Sequence, residues 1–452
     1  VYKRQTTTPV INITSEGKLT TEIPDLYYDS KYYFGIKGFN GSDYSSMATT
    51  SCEIDKEVPQ WPMYGYDAQH TFKTSVAGPV TSTIKWQLEA ADTKLPSYAR
   101  AQQFSTGPAV DQNGTIYIGT SKGLLALDKN GNFKWQYSTT TRGILRAPLI
   151  GQDGTIYILI SEDKILALSP SGRLRWQKPV ETSFSKSHPH EPNVNLVLTD
   201  NVLYYATRLP VGTTTKSALI AINPETGETN WSYTFSGSEP PSTPTITEQG
   251  TILIGFKQTL FILDSDGNLK KKFEFNPTCG SQNQTSISMV GTKGEKVYFI
   301  LRGTYSTGGR CSYCGDSLYV LLNPDSDNST TTLLAEEIGN TQLPLLLGQN
   351  KLYLKTNSWR GYSCDRTSHL YSFDYQEKVL WSTSTIHATL WLIDSQANLF
   401  GSYQSGVIAL NSDGKIIWDF VGDAFHYPFA LSKQGVLYAP SNHILYAFGP
   451  EE

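Results

Sequence analysis

The chain has 452 residues, too many for one ordinary core, so two or three domains or one large repeat array are required. With 41 acidic against 37 basic side chains and no long basic run, an electrostatic grip on nucleic acid is excluded as the main activity. Aromatics at 12%, 27 of them Tyr, with 37 Gly and 23 Pro, describe strands and turns rather than helices, and no apolar run approaches the roughly 18 residues that cross a bilayer.

Val1 to Gln5 read like the translation of a sequencing-library adapter and are set apart from the fold, with a missing upstream region expected. Residues 6–55 read as short strands: Leu19 to Ile23, Tyr32 to Gly38, and a Ser/Thr-rich strand ending near Cys52 and Ile54. Leu26 and Tyr32, followed by Phe34 and Ile36 on alternate positions, resemble the tyrosine corner of a fibronectin type III domain, of which about fifty residues, the C-terminal half, are present. A polar linker with Pro59 occupies 56–60.

From Trp61 one unit recurs. Gly114-Thr-Ile-Tyr-Ile, Gly154-Thr-Ile-Tyr-Ile and Gly250-Thr-Ile-Leu-Ile open it, with degenerate copies at Val297, Lys351, Asn398 and Val436. Each is followed by a second apolar strand of the type Leu124-Leu-Ala-Leu-Asp, of which there are eight, the last being Ile444-Leu-Tyr-Ala-Phe. Most are then followed by a Gly turn (Gly131, Gly172, Gly227, Gly267, Gly414) and a strand bearing Trp135, Trp176, Trp231, Trp381 or Trp418. A Pro-led strand in front completes four antiparallel strands per repeat, at about 49 residues each, the period of a propeller blade. The last repeat stops one strand short, while Ile84-Lys-Trp86-Gln-Leu88 stands alone before the first; pairing the two would close the ring. With Trp61-Pro-Met-Tyr-Gly-Tyr-Asp-Ala-Gln-His70-Thr in front, residues 61–450 resemble the eight-bladed PQQ-like propeller repeat. The expected fold is thus all-β: an eight-bladed propeller closed by an N-terminal strand, with a partial immunoglobulin-like sandwich before it. The repeated Trp side chains, Trp86 included, are expected to pack between blades. Lys271 stands at the Trp position of the fourth blade, and the fifth has no clear Trp.

Blade topology sorts the loops. Turns joining strands one to two and three to four lie on one face, the bottom, and are tight; the other connections lie on top and hold the extra length, at 183–191, 208–216, 303–316 and 356–368. Binding groups are expected on that top face. Cys279, Cys311, Cys314 and Cys364 map to one sector of it and are read as two disulfides, with a zinc site as the competing reading. The sequons Asn113-Gly-Thr and Asn328-Ser-Thr suit an extracellular setting. Thr106, Arg146, Ser242, Gln342 and His426 each precede an inner-strand Pro by two positions and should share one height at the channel mouth, with Asn193 beside them and His387 near. They are read as a polar channel lining, or as an anion or sugar site built on Arg146 and His426. Trp359, Arg360, Tyr362, Arg366, Tyr305, Arg310 and Tyr313 in the insertions are the candidate hot spots. His188-Pro-His190-Glu191 and the Asp264 and Asp325 tips are read as loops and turns rather than metal sites.

The PQQ-like resemblance admits a quinoprotein dehydrogenase, which would use a vicinal Cys pair against the quinone and an Asp base. This chain has no adjacent cysteines and no carboxylate at its aligned inner-strand starts, so PQQ is disfavoured. No nucleophile elbow, zinc-protease helix or phosphate loop occurs, while a carboxylate pair assembled from distant blades stays open. The favoured reading is a non-catalytic, secreted, cell-surface or periplasmic binding propeller that holds a glycan or protein on its top face and needs no cofactor, calcium and zinc being secondary readings. An outer-membrane assembly scaffold is a further alternative.

Overall fold

A computed structural model of the chain describes residues 30–36, 43, 48–54, 60–139, 143–144, 146–160, 164–180, 196–199, 201–211, 214–239, 241–275, 286–302, 305–306, 312–313, 316–326, 328–335, 340–360, 365–375, 378–384, 386–403 and 405–449. Eight four-stranded antiparallel sheets follow one another along the chain, and we number them blades 1 to 8. In blade 1 the strands are Ala109–Val110, Ile116–Thr120, Gly123–Leu127 and Phe133–Ser138, running outward from the propeller axis. The second and third strands are buried on both faces, and the outer strand is half exposed. That gradient is why the repeats read as two continuous apolar runs followed by a mixed one.

Closure follows the expectation. Ile84–Glu89 pairs antiparallel with Ile444–Phe448, from Ile84↔Phe448 to Glu89↔Ile444, and becomes the outer strand of blade 8. The N-terminal Ser30–Ile36 and Ala48–Ile54 form a separate hairpin with Tyr32 opposite Cys52. The strand expected at 19–23 lies outside the described residues.

Blades are tied to one another by the tryptophans. The indole Nε1 of Trp86, Trp135, Trp176, Trp231, Trp381 and Trp418 each donates to a backbone carbonyl beyond its own blade: Lys129, Pro170, Pro224, Ser265, Ser412 and Pro79, at 2.8–3.0 Å. Five of these rings lie flat against a turn glycine of the next blade. A Cβ added at Gly172 would sit 2.6 Å from Cε3 of Trp135, so the turn needs glycine for its φ of +84° and for the ring above it. Inside each of these six blades the same indole packs on a second-strand aromatic, as in Tyr117–Trp135 at 5.7 Å.

The bottom turns repeat one solution. Asp111 Oδ1 accepts the amides of Asn113 and Thr115, Asp128 Oδ1 those of Asn130 and Asn132, and Asp264 Oδ1 those of Asp266 and Asn268. The Asp264 tip is therefore an Asx turn, as read.

Candidate functional site

The two faces of the ring differ. On the top face, blades 3 and 6 do not carry loops where the sequence reading placed them; their middle strands continue upward as hairpins. In blade 1 the hairpin ends at the pair Thr120↔Gly123. The corresponding pairs, Thr207↔Ala218 and Thr356↔His369, are followed by four more in each case, from Arg208↔Ser217 to Val211↔Thr214 and from Asn357↔Ser368 to Arg360↔Asp365. At roughly 3.4 Å per residue, each hairpin stands about 14 Å beyond the body of its blade. The extension has a local cost. Thr120 Oγ1 donates to the turn carbonyl of Gly123 at 3.0 Å, whereas the buried hydroxyls of Thr207 and Thr356, where the turn has moved away, bond nothing among the described residues. Blade 5 adds a small separate hairpin, Tyr305–Ser306 with Ser312–Tyr313, whose second strand runs alongside the blade 6 strand Lys351–Arg360.

The predicted hot spots fall on these elements. Trp359 and Arg366 are paired backbone positions in the blade 6 extension, Arg360 pairs Asp365 at its end, and Tyr305 pairs Tyr313 in the small hairpin. Tyr362, Arg310, Asn193, the His188–Glu191 stretch and all four insertion cysteines, Cys279, Cys311, Cys314 and Cys364, lie outside the described residues.

The channel-mouth set divides. Thr106 and Ser242 occupy equivalent, buried positions in blades 1 and 4, and their hydroxyls serve the sheet. Each accepts the amide of a second-strand glycine, Gly119 at 2.9 Å and Gly255 at 2.8 Å, and donates to the carbonyl of its own successor. In both blades the hydroxyl is spent on the backbone. Arg146 is half-buried and His426 exposed. Gln342 lies in a strand of blade 6 opposite Lys355. Lys355 Nζ reaches the carbonyl of the exposed His387 at 3.3 Å and Thr389 Oγ1 at 3.1 Å. Trp391, which the repeat pattern did not single out, is half-buried in the inner strand of blade 7, with Nε1 on Ser402 Oγ at 3.0 Å. Among the described residues no three His, Cys, Asp or Glu side chains approach one another closely enough to hold a metal ion.

The bottom face is closed by a segment whose role the sequence did not reveal. Residues 60–76 circle the lower end of the channel once, bonding the inner strands in blade order. Trp61 exchanges two backbone bonds with Val110 of blade 1, and Pro62 accepts from Ile150 of blade 2. Ala68 accepts from Ile246 of blade 4, Gln69 from Thr292 of blade 5, Thr71 from Leu347 of blade 6 and Phe72 from Ile393 of blade 7. Gln60 Oε1 accepts the amide of Lys433 in blade 8. The path bends through Tyr66, His70 and Phe72, all at positive φ, and through Gly65, where a Cβ would meet the His70 ring at 2.9 Å. Asp67 pins it: Oδ1 accepts the Thr71 amide at 2.9 Å and Oδ2 the Thr71 hydroxyl at 2.6 Å. Burial drives this carboxyl up to about 6, against the lowering effect of the bonds from Thr71 and Gln69. The buried His70 places Nδ1 3.2 Å from Thr245 Oγ1 in blade 4.

Two overlapping stretches of the chain, 77–241 and 126–297, match the protein-family profile described as outer membrane protein assembly factor BamB. Over residues 77–297 the chain carries PQQ-like propeller repeats. Solved structures of similar fold include quinohemoprotein alcohol dehydrogenase from Comamonas testosteroni (TM-score 0.61, 11% identity, 87% of this chain and 81% of that one). BamB from Moraxella catarrhalis gives 0.53 at 14% identity over 82% and 98% of the two chains, and Sqt1 from Saccharomyces cerevisiae 0.55 at 11% over 83% and 100%. At such identities the likeness is one of fold, which hosts enzymes and non-enzymes alike. No curated protein sequence matches the chain. Among the described residues no helix is long and apolar enough to cross a membrane.

Proposed function

We propose that this PQQ-like propeller is a non-catalytic binding module of the cell exterior or envelope that holds a glycan or protein partner on its top face, presented on a fibronectin-like stalk. One observation carries the reading: the hairpin extensions of blades 3 and 6 and the added hairpin of blade 5 all rise from one face, while the opposite face is occupied by tight Asx turns and the 60–76 segment. A disc with raised hairpins on one side offers a recessed surface whose strands are already paired before any partner arrives, which lowers the ordering cost of binding. The family description, an outer-membrane assembly factor, supports an envelope location and lends weight to a protein as the partner.

The described channel-mouth donors favour a cofactor-free protein. Thr106 and Ser242 are committed to backbone, and Arg146 and His426 are cationic or neutral, a poor set for calcium beneath a quinone. In this reading the four insertion cysteines staple the blade 5 and 6 insertions as disulfides.

The test is to replace residues 357–368 by a blade 1 type turn, and in a second variant 208–217, and to measure binding to a glycan panel and to immobilised envelope protein. Retained unfolding midpoints with binding weakened at least tenfold are expected; unchanged binding in both variants would overturn the reading.

A further inference from the structure

Each blade junction can be described by what its indole touches. Five of the six outer-strand Trp rings sit over a glycine of the following turn: Trp86 over Gly131, Trp135 over Gly172, Trp176 over Gly227, Trp231 over Gly267 and Trp381 over Gly414, while Trp418 of blade 7 bonds Pro79. At two blades both devices are lost. Lys271 of blade 4 and Thr332 of blade 5 stand at the Trp register position, opposite Ile262 and Val320, and the turns that follow them, 323–329 and 374–378, contain no glycine.

Other groups take over at these two junctions. Lys271 Nζ donates to the carbonyl and hydroxyl of Ser329 at 3.0 and 2.9 Å, repeating the direction of the indole N–H without its ring. At the next junction Tyr375, from the blade 6 turn, leans back onto Tyr298 of blade 5 at 5.3 Å between ring centres, and its hydroxyl donates to Gly348 O at 2.7 Å. Lys293 Nζ lies 4.0 Å from the centre of that ring and also donates to the carbonyls of Gly348 and Gln349. Blade 5 is thus held at its outer edge by the ammonium group of Lys271 in place of an indole, while its own Lys293, at the bottom end of its inner strand, ties that inner half to the blade 6 turn. An ammonium group hydrogen-bonded near the surface exchanges those bonds for water at little cost, whereas a docked indole gives up apolar contact as well.

We propose that blade 5 is the adjustable blade of the ring: its outer half rocks against blades 4 and 6 about an inner half held by the buried clusters of Leu253, Ile287 and Phe299 on one side and Tyr298, Leu318 and Leu345 on the other. The small top hairpin is carried by this blade and runs beside the blade 6 extension, so rocking changes the spacing between the two. The inference holds whatever the top face binds.

Hydrogen exchange on the full chain tests it. Amides of the blade 5 outer strand Thr330–Ala335 are expected to exchange at least about tenfold faster than those of the blade 2 outer strand Leu174–Pro179. Lys271→Ala should raise exchange further in blade 5 alone. Lys271→Trp, combined with the blade 3 turn 224–228 grafted in place of 324–329, should slow it to the blade 2 level. Equal protection of the two strands in the unmodified protein, or an effect of Lys271→Ala spread evenly over all blades, would overturn the proposal; the unmodified comparison stands even if the graft does not fold.

Discussion

Consider Gly172→Ala. The glycine has a φ of +84°, a conformation that costs an L-residue roughly 1–2 kcal/mol. The new methyl would also lie 2.6, 2.8 and 3.0 Å from Cε3, Cδ2 and Cζ3 of Trp135, so the indole must move and lengthen its 2.9 Å bond to Pro170 O. Losing that bond adds about 1 kcal/mol and loss of ring packing about 1 more, for a total near 3–4 kcal/mol. In a Trp135→Ala background the methyl no longer meets the indole, and only the backbone part, about 1–2 kcal/mol, should remain. The coupling between the two substitutions is therefore expected at about 2 kcal/mol, read from a double-mutant cycle in urea with coincident fluorescence and circular dichroism transitions. Additive effects within about 0.5 kcal/mol would refute the docking of indole on glycine as the blade-to-blade tie.

Asp67→Asn should change the pH dependence of stability. The native carboxyl is raised from 3.8 to about 6, so the native state holds its proton where the unfolded chain has lost it, and stability from this group falls as pH rises from 4 to 6. The shift corresponds to at most about 3 kcal/mol; urea midpoints at pH 4 and 7.5 should differ less in the variant, and a wild-type-minus-variant difference independent of pH would sink the assignment. Truncation after Pro440 removes the blade 8 strand that pairs with Ile84–Glu89. The shortened chain should lose its cooperative transition and regain it on addition of a peptide spanning 441–452, and a truncated chain with an unaltered midpoint would contradict closure by that pair.

The blades were legible because most supply the same short-range chemistry: an apolar second and third strand, an Asp or Asn opening a turn, a glycine, a Trp. Closure was legible because Ile84–Glu89 had no blade of its own to join. The hairpin extensions were not, since Thr214–Ser217 and Ser358–Arg360 have the polar composition of loops and become strands by pairing with each other. Lys271 was visible as a departure, yet its compensation by Ser329 joins residues 58 apart in a longer turn with no repeat to compare. Thr106 and Ser242 stood out by their spacing from Pro108 and Pro244, but a hydroxyl that lines a channel and one that bonds a glycine amide are the same residue in a sequence. The 60–76 segment was recognised as a motif and its role missed, because its partners are backbone groups spread over the whole ring.

Closure by Ile84–Glu89 against Ile444–Phe448 also fixes the order of events during synthesis. Blade 1 can pair its own four strands as soon as it leaves the ribosome, but the strand before it waits until all eight blades have been made, and joining segments so distant is slow. Until then the growing array is a curved stack with a bare strand at each end, the state most open to pairing with another chain. The 60–76 segment, bonded to inner strands from the first blade to the last, can settle only as those strands accumulate. A cell making this protein must therefore shelter an open ring until Ile444–Phe448 emerges.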